Sequence, residues 1–221
     1  MSMMVMWMAA PLALRRLAFF RVRQVELVGI RYLDADQVLA VLHLSPRASV
    51  FDDTNILAAR LRGLDGVADA SVMRRPPASL KVIVREVEPV ALVANARGAL
   101  APVDAAGRPM PFDVAGLDLP IVAARDSAVV GVLARVQALE PALFQSIDAA
   151  RQTTNDERHG DVLLEVGTHR VLLARDAGPE AIQAVMLVAS DLAAKKRPYV
   201  QLDGRFAGQI VVRRRSARSA A

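Results

Sequence analysis

Alternating apolar and polar residues predict a strand and a helix at the start of the folded region. Residues 22–28 form a β-rich run that Gly29 ends. Asp34, with Gln37 three positions later, has the form of a capping box, so a helix should begin there. Proline cannot continue a helix, and we expect this one to end at Pro46.

The same pattern continues with a second helix and two strands. The helix should run from about Thr54 to Gly66, with one side facing the core and carrying Ile56, Leu57, Leu61 and Leu64. Strands are predicted at residues 67–74 and 80–87, joined by a turn at Pro76 and Pro77. The order strand, helix, helix, strand, strand indicates a small α+β domain with both helices on one face of the sheet.

Beyond Pro89 the pattern changes to short strands separated by turn residues. Strands are predicted at residues 90–94, 99–104, 147–153, 161–166, 170–174, 199–202 and 209–213. Helices are predicted at residues 127–139 and from Pro179, a favoured first helical position, to Pro198. We therefore expect a mixed β-rich domain with helices packed on an open sheet.

The chain is thus divided into four segments. They are an apolar N-terminal segment at 1–20, the first domain at 21–90, the β-rich domain at 91–213 and a basic, disordered tail at 214–221. Within the first segment, residues 3–14 form an uncharged apolar run. As a helix this run would cover about 18 Å of a hydrocarbon core of about 30 Å. We interpret it as the remnant of a membrane anchor; a disordered or interfacial N-terminus is the alternative.

The distribution of charge argues against nucleic-acid binding. The chain of 221 residues has 28 basic and 23 acidic residues, and 53% of it is hydrophobic. Eight arginines lie near the two ends, so residues 24–212 carry 20 basic against 23 acidic residues. Aromatic residues make up only 4% of the chain, and no basic stripe with interleaved aromatics is present. The absence of cysteine excludes disulfides and thiolate metal sites.

The residues that could carry metal or acid–base chemistry are scattered. His43, His159 and His169 fall in different predicted elements without a repeated ligand spacing, so no metal site is expected. Asp52 and Asp53 directly precede a predicted helix, where carboxylates usually act as caps.

A second pair of carboxylates and the common sequence motifs lead to the same conclusion. Glu86 and Glu88 lie two residues apart on a strand, and we interpret them as a solvated edge. Neither a glycine-rich phosphate loop nor a Gly-x-Ser-x-Gly elbow is present. We therefore predict a binding protein with no catalytic residue and no cofactor.

Two long segments and the end of the chain resemble the FtsQ and DivIB family of bacterial cell-division proteins. FRVRQVELVGIRYLDADQV and GVADASVMRRPPASLKVIVREVEPVAL are similar to the POTRA domain of this family. VDAAG contains a similar D-x-x-G turn, and LDGRF resembles the V-D-L-R-F segment that precedes the final strand. Gly204 stands where the family has an aliphatic residue, so a bulge or a weakened strand is expected there.

The resemblance implies a non-catalytic scaffold of the division complex. Such a protein is held in the inner membrane by one N-terminal span, with its bulk on the extracytoplasmic side at the septum. It links early and late division proteins and binds the small proteins FtsB and FtsL. POTRA domains also occur in outer-membrane assembly and secretion, so a periplasmic chaperone or assembly factor is the alternative.

The family's use of its final strands suggests a binding site near the end of this chain. The β-branched strand is expected at a sheet edge, where a partner could add a strand, and it comprises Gln209, Ile210, Val211, Val212 and Arg213. Phe206 would supply an apolar anchor and Arg205 a contact to an acidic partner residue. The alternative for Phe206 is a place in the hydrophobic core.

Overall fold

The computed structural model describes residues 17–95, 98–123, 126–153, 160–206 and 208–214. The chain separates into two compact units, Met1–Val87 and Glu88–Ala221. The apolar run at 3–14, His159 and the tail beyond Arg214 lie outside the described residues. Within the described residues, none of the helices has the length and apolar character needed to cross a membrane.

The first unit has the predicted order of strands and helices. Its elements are a short 3-10 helix (Ala18–Phe20), β1 (Gln24–Val28), α1 (Ala35–Leu42), α2 (Thr54–Arg62), β2 (Val67–Arg75) and β3 (Ser79–Glu86). The sheet order is β1-β3-β2, with β1 parallel and β2 antiparallel to β3. Alternate residues of β3 are buried, as predicted, and they are Leu80, Val82 and Val84.

Both helices of this unit begin at aspartate caps. The Asp34 carboxylate accepts the N–H of Asp36 at 2.8 Å, and that of Asp53 accepts the N–H of Asn55 at 2.8 Å. The predicted caps are therefore present, although Asp34 bonds to the second helical residue and not to the third as in a capping box.

The predicted ends of the two helices need correction. α1 ends at Leu42 and not at Pro46, because His43 takes a left-handed conformation with φ of 47°. α2 ends at Arg62, where Gly63 forms the C-cap. Ile56, which we predicted on the same side of this helix as Leu57 and Leu61, is 53% exposed. The buried stripe of α2 consists of Leu57, Ala58 and Leu61, and this stripe turns position 56 outward.

The interpretation of Glu86 as part of a solvated edge is wrong. Its carboxylate accepts the backbone N–H groups of Arg31, Tyr32 and Leu33 at 3.0, 2.9 and 2.8 Å. Glu86 thereby fixes the segment between β1 and α1 to the end of β3. Gly29 opens that segment with φ of +87°, and a Cβ atom there would lie 2.2 Å from the Val84 carbonyl oxygen.

The second unit is built on an eight-stranded sheet. Its strands are β4 (Ala91–Ala94), β5 (Leu100–Val103), β6 (Ile121–Val122), β7 (Ala149–Gln152), β8 (Val162–Val166), β9 (His169–Leu173), β10 (Gln201–Phe206) and β11 (Gln209–Arg213). Its helices are α3 (Ser127–Leu139), α4 (Pro141–Phe144) and α5 (Pro179–Ala194). The strand order is β11-β10-β9-β8-β7-β6-β4-β5.

The helices pack on one face of this sheet. Inward residues of the central strands form a single core with Leu133 on α3 and Val185 on α5, and they include Leu164, Val171 and Leu202. The predicted α+β class, a β-α-α-β-β domain followed by a β-rich domain with helices on an open sheet, is therefore confirmed. In the second unit two elements were not predicted, α4 and β6, because one helical turn and two strand residues are too short to show a period.

Candidate partner-binding edge

β11 forms one edge of the eight-stranded sheet, as predicted. Its residues alternate: Ile210 and Val212 pack against the core, whereas Gln209, Val211 and Arg213 are exposed. Val211 keeps 44% of its surface in solvent. Among the described residues, none pairs with the outer side of β11. An edge strand of this kind offers free backbone N–H and C=O groups to an incoming strand.

β10 joins β11 through an irregular register in the segment that contains Gly204. The register between these antiparallel strands shifts between Asp203 and Phe206. A Cβ atom at Gly204 would lie 2.9 Å from Val185 on α5 and 3.2 Å from Leu173 on β9. The glycine therefore lets the strand approach the helix closely, and the predicted irregularity at this position is present.

Arg205 holds the irregular strand through two buried carboxylates. Its Nε and Nη2 atoms donate to the Asp203 carboxylate at 2.9 and 2.8 Å, and its Nη1 atom donates to Asp161 at 3.0 Å. The side chain of Arg205 is only 11% exposed. The fork geometry fixes the guanidinium group in one orientation. We expected Arg205 to contact an acidic partner residue, but both aspartates lie within this unit, so its role is positional.

The electrostatics of this cluster favour the charged form of Asp203. Burial would raise the pKa of the Asp203 carboxyl. The hydrogen bonds from the side chain and backbone of Arg205, together with the charges of Arg205 and Arg213, outweigh burial and lower this pKa below its usual range. The pair thus stays ionised at neutral pH and ties β10 to the segment that precedes β8.

Phe206 lies at the exposed end of the hairpin. Its side chain is 43% exposed, so it is not part of the buried core. The Arg205 guanidinium carbon lies 5.8 Å from the centre of the Phe206 ring. A cleft of about 590 Å³ opens beside the ring, between the start of α5 and the hairpin. The arrangement presents an aromatic side chain next to a free strand edge.

The opposite edge of the sheet, β5, is covered by its own chain. The Met110 N–H donates to the Pro102 carbonyl at 2.8 Å, and Val103 forms a bridge with Pro109. Pro102 itself has no N–H to offer. A turn held by Asp104 brings this covering segment back, since the Asp104 N–H donates to the Arg108 carbonyl at 3.0 Å. β5 is therefore a poor site for strand addition.

The structure places the residues of the predicted site at one end of the second unit. Six of them line the edge or its exposed end, namely Phe206, Gln209, Ile210, Val211, Val212 and Arg213. The sequence analysis missed the two aspartates that hold Arg205. The spacing Asp203-x-Arg205 places both side chains on one strand face and was a usable signal. Asp161 lies far away in sequence, and no local pattern indicates its contact.

The candidate metal and acid–base residues serve structural roles or lie apart. His43 caps α1, and the His169 ring lies 4.4 Å from that of Tyr199. The Asp52 carboxylate accepts the Ser49 N–H at 2.8 Å. Across the described ranges, no group of three or more His, Asp and Glu side chains could hold a metal ion.

The topology of the first unit, together with a family model, defines a POTRA domain. The matching model is the POTRA domain of FtsQ type, and it covers residues 20–86. The resemblance to the FtsQ and DivIB family is confirmed on these residues, and the chain carries an FtsQ-type POTRA domain. This domain supports a division-related scaffolding role.

Nine chains of solved structures are similar to this chain, and one of them is a division protein. The major extracytoplasmic domain of the cell-division protein DivIB from Geobacillus stearothermophilus is 18% identical, with a TM-score of 0.35. The match covers 49% of this chain and 96% of that chain. The first unit is therefore assigned as a POTRA domain on the family model and not on this structure. No curated protein matches the chain.

Proposed function

We propose that this protein is a non-catalytic scaffold of the bacterial division complex. It binds an FtsB-like division protein by adding a strand of that partner to β11. FtsL-like and other division proteins join the same assembly, and the chain links early and late components at the septum. The FtsQ-type POTRA domain favours this role over that of an outer-membrane assembly or secretion factor.

The observation that carries the proposal is the difference between the two ends of the eight-stranded sheet. β11 is apolar and has no strand on its outer side among the described residues, whereas β5 is covered. An uncovered apolar edge promotes aggregation unless a partner or flanking charges protect it. Arg213 supplies such a charge on β11, and a partner strand would satisfy the free backbone groups.

The proposal also assigns a location and an anchor. The apolar run at residues 3–14 is held in the inner membrane, and the two units lie on its extracytoplasmic side. This follows the resemblance to the division family, whose members bind their partners outside the inner membrane. No reaction and no cofactor belong to the proposed role.

Cross-linking in dividing cells tests the proposal. Because the chain has no cysteine, a single cysteine at Gln209, Val211 or Arg213 gives a unique attachment point on the exposed side of β11. We expect all three to cross-link to the FtsB-like protein of the same cell. Leu187 on α5 is 73% exposed and serves as the control. Equal cross-linking from Leu187→Cys, or none from the β11 positions, would refute the site.

A further inference from the structure

Three segments of the POTRA unit meet at one of its ends. They are residues 17–23, the connection between α1 and α2 at 45–53, and the β2–β3 turn at 74–78. Arg21 forms a bridge with Ser49, and the Arg23 N–H donates to the Ala78 carbonyl at 2.8 Å. The Arg74 Nε atom donates to the Val50 carbonyl at 3.0 Å. We refer to this end, residues 17–23, 45–53 and 74–78, as the basic pole.

The basic pole carries a concentrated positive charge that the linear sequence divides among three places. Five exposed arginines lie on it, namely Arg21, Arg23, Arg47, Arg74 and Arg75. Its acidic residues are Asp52 and Asp53, and both carboxylates accept backbone N–H groups. The net charge of the pole is therefore +3.

The other end of the same unit has no such excess. It comprises residues 29–36, 60–69 and 83–87, with four arginines against five acidic residues. Several of its charges bond within the unit, such as Arg62 to Asp69 at 2.9 Å. The positive charge of the POTRA unit is thus concentrated at the end where the chain enters it.

Apolar side chains project from the basic pole among the arginines. Leu17 is 51% and Phe19 is 60% exposed. The Phe19 ring packs edge-on against Phe20 at 5.0 Å, and Phe20 packs in the same way on Phe51 at 5.0 Å. Phe19 therefore packs on Phe20 on one side, and its other side is directed into solvent. Exposed apolar groups beside arginines are typical of surfaces that lie at the boundary between lipid head groups and water.

We propose that the basic pole lies on a membrane surface and binds the phosphate groups of anionic phospholipids. The charge complements such a surface, and each arginine close to it adds about a fivefold preference for the bound state. The chain reaches the pole directly from the apolar run at 3–14 and its two following arginines. This contact is separate from the partner site on β11, and it would fix the orientation of the POTRA domain above the bilayer.

A fluorescence quenching experiment on the full chain in vesicles tests the proposal. A fluorophore on Ser45→Cys reports on the basic pole, and one on Ala68→Cys reports on the opposite end; both positions are exposed. Nitroxide-labelled lipid head groups quench a fluorophore that lies near them. Vesicles of phosphatidylcholine alone are compared with vesicles that contain phosphatidylglycerol in equal parts.

We expect strong quenching at position 45 only when phosphatidylglycerol is present, and weak quenching at position 68. Arg21→Glu with Arg47→Glu should lower the ratio of docked to undocked poles by about tenfold or more. The matched control, Arg31→Glu with Arg85→Glu at the opposite end, should leave it unchanged. High salt should weaken the contact, because it screens exposed charges.

Four results would overturn the proposal. The first is equal quenching at positions 45 and 68, and the second is quenching at position 45 that does not depend on phosphatidylglycerol. In the third, the paired arginine variant behaves like its control, which would mean that the pole serves another partner, such as an acidic protein. In the fourth, residues 3–14 insert into the bilayer but the fluorophore at position 45 stays unquenched, which also counts against the contact.

Discussion

β5 and β11 both end the eight-stranded sheet, but the chain treats their outer backbone groups in different ways. β5 contains a proline and is covered by the segment that follows it, through the Met110 N–H and the bridge of Pro109. β11 contains no proline, and no described residue pairs with its outer side. β5 is thus an edge that its own chain closes, and β11 is an edge that is open to a second chain.

Each edge also has an aspartate–arginine pair with a buried aspartate, and the two pairs differ in the burial of the arginine. At β5 the Asp104 carboxylate is paired with Arg108, whose side chain is 77% exposed. At β10, next to the open edge, Asp203 is paired with Arg205, whose side chain is 11% exposed. A buried network costs more to break than an exposed one, and it fixes geometry more strictly. The strand next to the open edge, β10, is thus held in a fixed position by a buried network.

Breaking the buried pair should produce the largest effect. Arg205→Met leaves Asp161 and Asp203 buried without their partner, which should destabilise the second unit by about 3–5 kcal/mol. The control is Arg108→Met: the Asp104 carboxylate is also buried, but it keeps the backbone N–H groups of Ala106 and Arg108, so the loss should be smaller, about 1–2 kcal/mol. Calorimetric unfolding of the full chain measures both. Similar losses for the two variants would contradict the contrast between the edges.

Proline substitutions on β11 should produce the next largest effect, on partner binding. Neighbouring N–H groups of a strand point to opposite sides, so Val211→Pro and Val212→Pro remove one inner and one outer N–H group. We expect one variant to lose the hairpin and the other to stay folded but bind its partner about 3 kcal/mol more weakly. Circular dichroism identifies the folded variant, and titration calorimetry measures its affinity. A folded variant that binds normally would exclude strand addition on β11.

Phe206→Ala should weaken binding by about 2 kcal/mol, since an exposed aromatic beside a binding edge acts as an anchor. Its side chain is 43% exposed, so the melting temperature should change little. Ile121 on β6, 46% exposed, gives a control away from the site, and Ile121→Ala should not alter affinity. A large fall in melting temperature for Phe206→Ala would instead assign this ring to the core.

Acidification should produce the smallest effect of the four. The pKa of Asp203 is lowered in the folded state, so its contribution to stability is fully present above the unfolded value of about 3.9 and is lost as the pH falls through the folded value. Asp203→Asn should therefore flatten the acid side of the stability profile. Calorimetry from about pH 6 down to about pH 2 measures this, because the loss is expected below the unfolded value. An unchanged slope would mean that other carboxyls govern the acid response.

The sequence predicted most elements because their periods and caps are local. Asp34 and Asp53 precede helices, and alternate burial of Leu80, Val82 and Val84 follows directly from the period of a strand. Contacts between distant segments left no such pattern. The three N–H groups held by Glu86 are an example. The same limit applies to the bond between Asp161 and Arg205.

In the candidate site, too, the local features were predictable from the sequence and the contact between distant segments was not. The β-branched run at Ile210, Val211 and Val212, close to the end of the chain, was sufficient to predict an edge strand. The positional role of Arg205 was not predictable, because an arginine beside an exposed edge has the same local pattern whether it faces a partner or its own domain. Only the three-dimensional position of Asp161 decides between these roles.

Hydrogen exchange of the β11 amides, with and without the FtsB-like partner, tests the central claim most directly. In the free protein, the N–H groups on the outer side of Gln209–Arg213 should exchange quickly and those bonded to β10 slowly. Binding of the partner should protect the fast, alternate amides and leave the amides of Leu100–Val103 unchanged. If the outer amides of β11 stay fast in the saturated complex, while protection develops elsewhere, the partner does not add a strand to this edge.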